Sequence, residues 1–159
     1  MKKLPKDISS LANDLISKIE KELSSQLKTI GTMVVKEVRN HIDSDVIEKY
    51  DPLIYERTGN LKKSIQKSEI TKTPTEVSID VYADDNIAKS HHMYNPNESL
   101  ESYAGIVESG VGYDYGSWNG HYWKYQVTER PFMRNTVEKN SDSIAGLISN
   151  AVGDAIKKL

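Results

Sequence analysis

Residues 8–42 read ISSLANDLISKIEKELSSQLKTIGTMVVKEVRNHI. Apolar side chains recur at Ile8, Leu11, Leu15, Ile19, Leu23, Leu27, Ile30, Val34, Val38 and Ile42. These three- and four-residue steps place them on one stripe of an α-helix. Pro5 stands where a helix start tolerates proline. Ser24-Ser25 and Gly31-Thr32 are the weak points at which a bend would occur. A helix from Lys6 to Ile42 would run about 55 Å, whereas a compact domain of this length is about 39 Å across. The helix is therefore expected to overhang its domain, leaving an apolar stripe that wants a neighbour, or to break near Gly31 and fold back onto the core.

Outward from that helix the period changes. Asp51-Pro52 is a breaker, and in Arg57-Thr58-Gly59-Asn60-Leu61 the Thr58 hydroxyl is placed to cap a short helix through Ser64 or Ile65. Glu69 to Thr73 and Glu76 to Tyr82 flank Pro74-Thr75. Val77, Ile79 and Val81 alternate with Ser78 and Asp80, the mark of a β-hairpin with one buried face. A polar stretch follows, and helical spacing resumes through Leu100, Tyr103, Ala104 and Val107, stopping at Gly110. Tyr122 to Thr128 is rich in β-formers and reads as a strand. Pro131 opens a last helix, with Met133, Val137, Ile144, Leu147, Ile148, Ala151, Val152, Ala155, Ile156 and Leu159 on its apolar stripe.

This order is an α+β fold, with long N-terminal and C-terminal helices packed on a small antiparallel sheet with an inserted short helix. One domain is expected over 1–159. It divides into a long helix over 1–45, an α+β middle over 50–130 with mobile loops near 83–99 and 111–121, and a C-terminal helix over 131–159.

Composition narrows the function. Leu, Ile, Val and Phe make up 37 of the 159 residues, a lean core, and the net charge is only −2. A lean core leaves stability marginal, and partner chains are a common way to bury what remains. Without cysteine there is no disulfide scaffold, thiolate zinc site or thiol catalysis. No apolar run approaches the roughly 18 residues of a membrane helix, and no secretory signal follows the basic start, so no membrane partner is expected. Residues 1–40 carry eight Lys/Arg against five acids, and 76–129 carry nine acids against Lys89 and Lys124. Such opposite poles suit head-to-tail contact between identical copies, although each patch alone also reads as solvated surface.

Catalytic and metal chemistry are hard to assemble. His91, His92, Asp84 and Asp85 sit on an irregular stretch where adjacent histidines point apart, so no metal is expected. Ser117 in Gly116-Ser117-Trp118-Asn119-Gly120 is one position off the nucleophile-elbow register. His41 and His121 are lone histidines, and Glu98, Glu101 and Glu108 show no acid/base division. No catalytic residue and no cofactor are expected, and the chain reads as a non-enzyme; a hydrolase using His121 with Glu108 or Asp114 is the competing reading.

The most unusual feature is aromatic. Six Tyr and Trp fall within thirteen residues, Tyr113 to Tyr125, more than one strand face can bury. Tyr113, Tyr115, Trp118, Tyr122 and Trp123 are therefore candidate interface residues. The alternative is a binding module that stacks these rings on nucleic acid or a glycan. Against it, Lys124 is the one basic residue there.

Three blocks occur in order: Arg57-Thr58-Gly59-Asn60-Leu61-Lys62-Lys63-Ser64-Ile65, Tyr103-Ala104-Gly105-Ile106-Val107-Glu108-Ser109-Gly110, and Arg130-Pro131-Phe132-Met133. Together they resemble the phage tail-component family, which supplies neck, head–tail joining and tail-completion proteins of long-tailed bacteriophages and related prophage particles. Arg57, Thr58, Gly59, Leu61, Tyr103, Val107, Glu108, Gly110, Arg130, Pro131 and Phe132 carry the match, mostly in fold-making jobs. The chain departs from the family at Gly110-Val111, where Gly-Thr is common, and in its longer aromatic insertion. The resemblance implies a virion structural protein that forms homo-oligomeric rings. Its partners would be other neck or tail proteins, with DNA touched at most transiently through the ring lumen. Such a protein sits in the virion and passes through the bacterial host cytoplasm during assembly. An isolated subunit is then expected to expose unusual apolar surface or to self-associate weakly.

Overall fold

The computed structural model describes residues 8–49, 59–88, 103–109, 116–118, 121–123 and 129–157. The N-terminal helix, α1, spans Ile8–His41. It passes through Ser24-Ser25 and Gly31 without interruption, so the break expected near Gly31 does not occur. The reason is local. Ser24 Oγ donates to the Glu20 carbonyl at 2.6 Å and Thr32 Oγ1 to the Lys28 carbonyl at 2.9 Å, so these hydroxyls bond within the helix they were expected to weaken. Gly31 is buried, and a Cβ there would lie 2.7 Å from Ile79 Cδ1. The glycine is a seat for a neighbouring side chain rather than a hinge.

Beyond His41 the helical path widens into a π-helix, Ile42–Ile47. Helix α2, Asn60–Ser64, follows, and the Lys62 ammonium donates to the Asp43 carboxylate of the π-helix. The N-cap of α2 is Gly59, left-handed at φ 70° and making no side-chain cap bond, a conformation glycine adopts without penalty. The residue expected to cap, Thr58, lies outside the described residues, as does Arg57.

The expected hairpin forms in two sections. β1, Ile65–Lys67, pairs antiparallel with β4, Val81–Ala83; β2, Thr71–Lys72, pairs antiparallel with β3, Val77–Ser78. Between the two sections three residues, 68–70, face two, 79–80, so one extra residue makes a bulge. Ser68 bridges the gap, its N–H donating to the Asp80 carbonyl and its Oγ accepting from the Asp80 N–H, both at 2.9 Å. Thr73 N–H donates to the Glu76 carbonyl at 2.8 Å and closes the turn around Pro74-Thr75.

Helix α3 spans Tyr103–Ser109. β5, Gly116–Trp118, pairs antiparallel with β6, His121–Trp123, with Trp118 opposite His121. Helix α4, Phe132–Lys157, ends the described chain. The architecture is α+β, with the two long helices, short antiparallel ladders and the small helices between them.

Val38, Ile42, Leu61, Ile65, Ala88, Ala104 and Phe132 form the buried core, which therefore sits at the C-terminal end of α1. Phe132, at the start of α4, lies in that core, and α4 contacts α1 more extensively than any other element does. α4 thus returns antiparallel along α1. At 34 and 26 residues the helices run about 51 and 39 Å. The core occupies one end of this pair, and the other end projects as a two-helix stalk.

Candidate functional site

The three sequence blocks meet at one place. Leu61, Ala104 and Phe132, one from each block, share the core, with Val107 and Met133 packed against it. The backbone of the third block is held by the second: Arg130 N–H donates to the Val107 carbonyl at 2.9 Å. Glu108 completes the clamp. Its Oε2 accepts from the Met133 N–H at 2.9 Å and its Oε1 from the Arg134 N–H at 3.0 Å. The first backbone N–H groups of a helix have no partner in their own helix and carry the positive end of its dipole. A carboxylate from α3 therefore caps α4 through both oxygens. Arg134 Nη2 in turn donates to Glu129 Oε1 at 2.8 Å. Pro131 begins the helical path, its carbonyl accepting from Asn135 N–H at 2.8 Å. Tyr103 is the first residue of α3, whereas Gly110 lies outside the described residues.

A second cluster was not anticipated from the chain. His41, expected to stand alone, places Nδ1 2.9 Å from Asp45 Oδ2, and both residues are buried. Asn135 Nδ2 of α4 donates to the same oxygen at 2.8 Å, and Ser44 Oγ donates to Oδ1 at 3.2 Å. Lys49 Nζ stands 3.7 Å from Oδ1. Burial alone would raise the Asp45 carboxyl. The hydrogen bonds from Asn135, His41 and Ser44, with the attraction of the His41 charge, outweigh it and hold the group at about 2. Ser44 bonds to the carboxylate and not to the imidazole, so the group lacks the nucleophile–base–orienter sequence of a hydrolase. It joins the π-helix to α4. The spacing of His41 and Asp45, four apart on a helix, was the available signal.

The third feature is the stalk. Ala151 and Ala155 of α4 are buried, but around them Leu147, Ile148, Val152 and Ile156 are exposed, Ile156 by 56%. On α1, Leu11, Leu15 and Ile16 are exposed by 43–53%. The apolar stripe read from the sequence is therefore real at both ends of α1, covered at one and open at the other.

Along α1 there is also an open cleft of about 560 Å³, where Lys28, Thr32, Lys36 and Lys67 come together. Lys67 Nζ donates to the Lys28 carbonyl at 3.0 Å and to Thr32 Oγ1 at 2.6 Å, which fixes its charge over the helix. Of the eight Lys/Arg expected to form a basic pole over residues 1–40, Lys28 and Lys36 line this cleft, and β1 adds Lys67.

Among the described residues no group of three or more His, Cys, Asp or Glu is placed to hold a metal ion, and no helix is long and apolar enough to cross a membrane. Of the candidate interface aromatics, Trp118 lies in β5 and Tyr122 and Trp123 in β6, while Tyr113 and Tyr115 lie outside the described residues. His91, His92, Glu98, Glu101 and Asp114 also lie outside them.

Comparison with known proteins adds a family. The YomN family model matches residues 7–158. The chain belongs to the YomN family. The SPbeta prophage-derived uncharacterized protein YomN of Bacillus subtilis (strain 168) is 31% identical over 159 residues, covering 99% of each chain. No solved structure matches. The YomN match spans both long helices, the Glu108 clamp and the stalk, so the whole described architecture falls within the family's extent. This family therefore includes a prophage-derived member of the same length, in keeping with the phage origin that the three blocks implied.

Proposed function

We propose that this chain is a non-enzymatic structural protein of a tailed phage or phage-tail-like particle. It sits at the head–tail junction or the tail terminus and acts by assembling into a ring that docks on neighbouring neck or tail rings. The single observation that carries this reading is the stalk. Seven large aliphatic side chains stand exposed on two helices whose other end is a well-buried core. Monomeric proteins rarely leave such a patch open, and a subunit completed by copies of itself requires one. Three further facts support it. The relative derives from a prophage. The family-motif residues Leu61, Val107, Glu108 and Phe132 make the core and the clamp rather than a reactive centre. The cleft at Lys28, Lys36 and Lys67 offers a basic face that an acidic stretch of an adjoining ring component would complement.

In this role the partners are copies of the chain and other virion proteins, and DNA passes through the lumen without a dedicated site. The protein resides in the virion after assembly in the host cytoplasm.

Particles made with the gene deleted, imaged by negative stain, test the reading. Unjoined heads and tails, or tails of irregular length, restored by the wild-type gene, are expected. Joined particles of normal length without the protein would overturn it.

A further inference from the structure

We infer that the open seam of the stalk is covered by the stalk of a second copy of this chain, so that four helices pack where two stand exposed. This rests on the self-assembly reading above and names the partner of that surface.

The seam has the make-up of an interface. Ile148, Val152 and Ile156 recur at four-residue steps beside the buried Ala151 and Ala155, and so form a row along one side of α4. Leu11, Leu15 and Ile16 extend the apolar stripe of α1 toward its N-terminus. From their fractional exposures, these six side chains and Leu147 leave on the order of 600 Å² of apolar surface in water. Two copies burying all of it would together remove about 1,200 Å² from water, the lower bound for a stable specific interface.

Charge does not oppose a like partner. Residues 8–23 hold Asp14, Glu20 and Glu22 against Lys18 and Lys21, and 144–157 hold Asp154 against Lys157. The net value over the stalk is −1, so two stalks repel little. A nucleic acid finds no basic excess there, which sets the seam apart from the lysine cleft farther along α1. An aliphatic row between mixed charges also matches how helices pair in bundles, with apolar side chains at the seam and both signs at its edges.

Sedimentation velocity of the full chain from about 1 to about 100 µM tests this. The wild type is expected to move from monomer to a defined multiple of it with rising concentration. Ile156→Asp and, separately, Ile16→Asp should weaken association by about 100-fold. Far-UV circular dichroism and the thermal midpoint of the dilute monomer should stay unchanged, because both residues are open to solvent. A wild type that remains monomeric throughout would overturn the inference, as would either variant keeping the wild-type association. Normal particles from the gene deletion, beside concentration-dependent association of the purified chain, would instead sink the virion reading and leave this pairing standing.

Discussion

The Glu108 carboxylate accepts the backbone N–H of Met133 at 2.9 Å, twenty-five residues away in the chain. A short helix thereby closes the start of the long C-terminal one. Because Arg134 N–H donates to the other oxygen, two of the open N–H groups at the start of α4 share a single anion. The direction of α4, and hence of the stalk, is set at this point.

Glu108→Ala should destabilise the chain by about 1–2 kcal/mol, the usual worth of a helix cap with a favourable dipole contribution. Glu108→Gln keeps an acceptor without the charge and should lose less. Urea unfolding followed by circular dichroism reads both; no loss with Gln would mean the charge is idle, and equal losses would mean that only the charge matters.

Phe132→Ala should cost about 3–5 kcal/mol, because the ring is almost wholly buried where the three blocks meet. The same unfolding measurement checks it. Val137→Ala, one turn farther along α4 and 62% exposed, should change stability by less than about 0.5 kcal/mol.

Acid should act through Asp45. Its carboxyl is held at about 2 in the folded chain against 3.8 ordinarily. The folded state therefore binds fewer protons than the unfolded one between those values. The stabilisation is fully present above about pH 4 and is lost as pH falls toward 2; at 1.36 kcal/mol per unit it amounts to about 2 kcal/mol. Asp45→Asn should be less stable at neutral pH and should not show that part of the acid loss. Unfolding free energies measured from pH 5 to pH 2 give the comparison, and parallel curves for the two proteins would contradict it.

The long elements were legible because their periodicity is carried by many residues. The stripe from Ile8 to Ile42 gives α1, and the run from Met133 to Ile156 gives α4. The hairpin around Pro74-Thr75 was legible from alternation, but its bulge at residues 68–70 was not, since one extra residue leaves no mark in a polar strand. Gly31 misled because a helical glycine has the same local cost whether it bends the helix or seats Ile79; only the packing partner decides. The Asn119-Gly120 pair between β5 and β6 is a strong hairpin signal, yet the tyrosines and tryptophans around it drew the reading toward a loop. The His41–Asp45–Asn135 cluster needs a residue 90 positions from Asp45, and no local pattern announces that. The clamp at Glu108 was hidden similarly, although the three blocks that build it were visible as motifs.

Purified particles hold the most direct test of the central claim, that this polypeptide is a built-in part of a phage particle. Quantitative mass spectrometry of particles banded on a density gradient should find the chain in a fixed whole number of copies per tail, retained through repeated banding. Its absence from particles that are complete and infective would contradict the account.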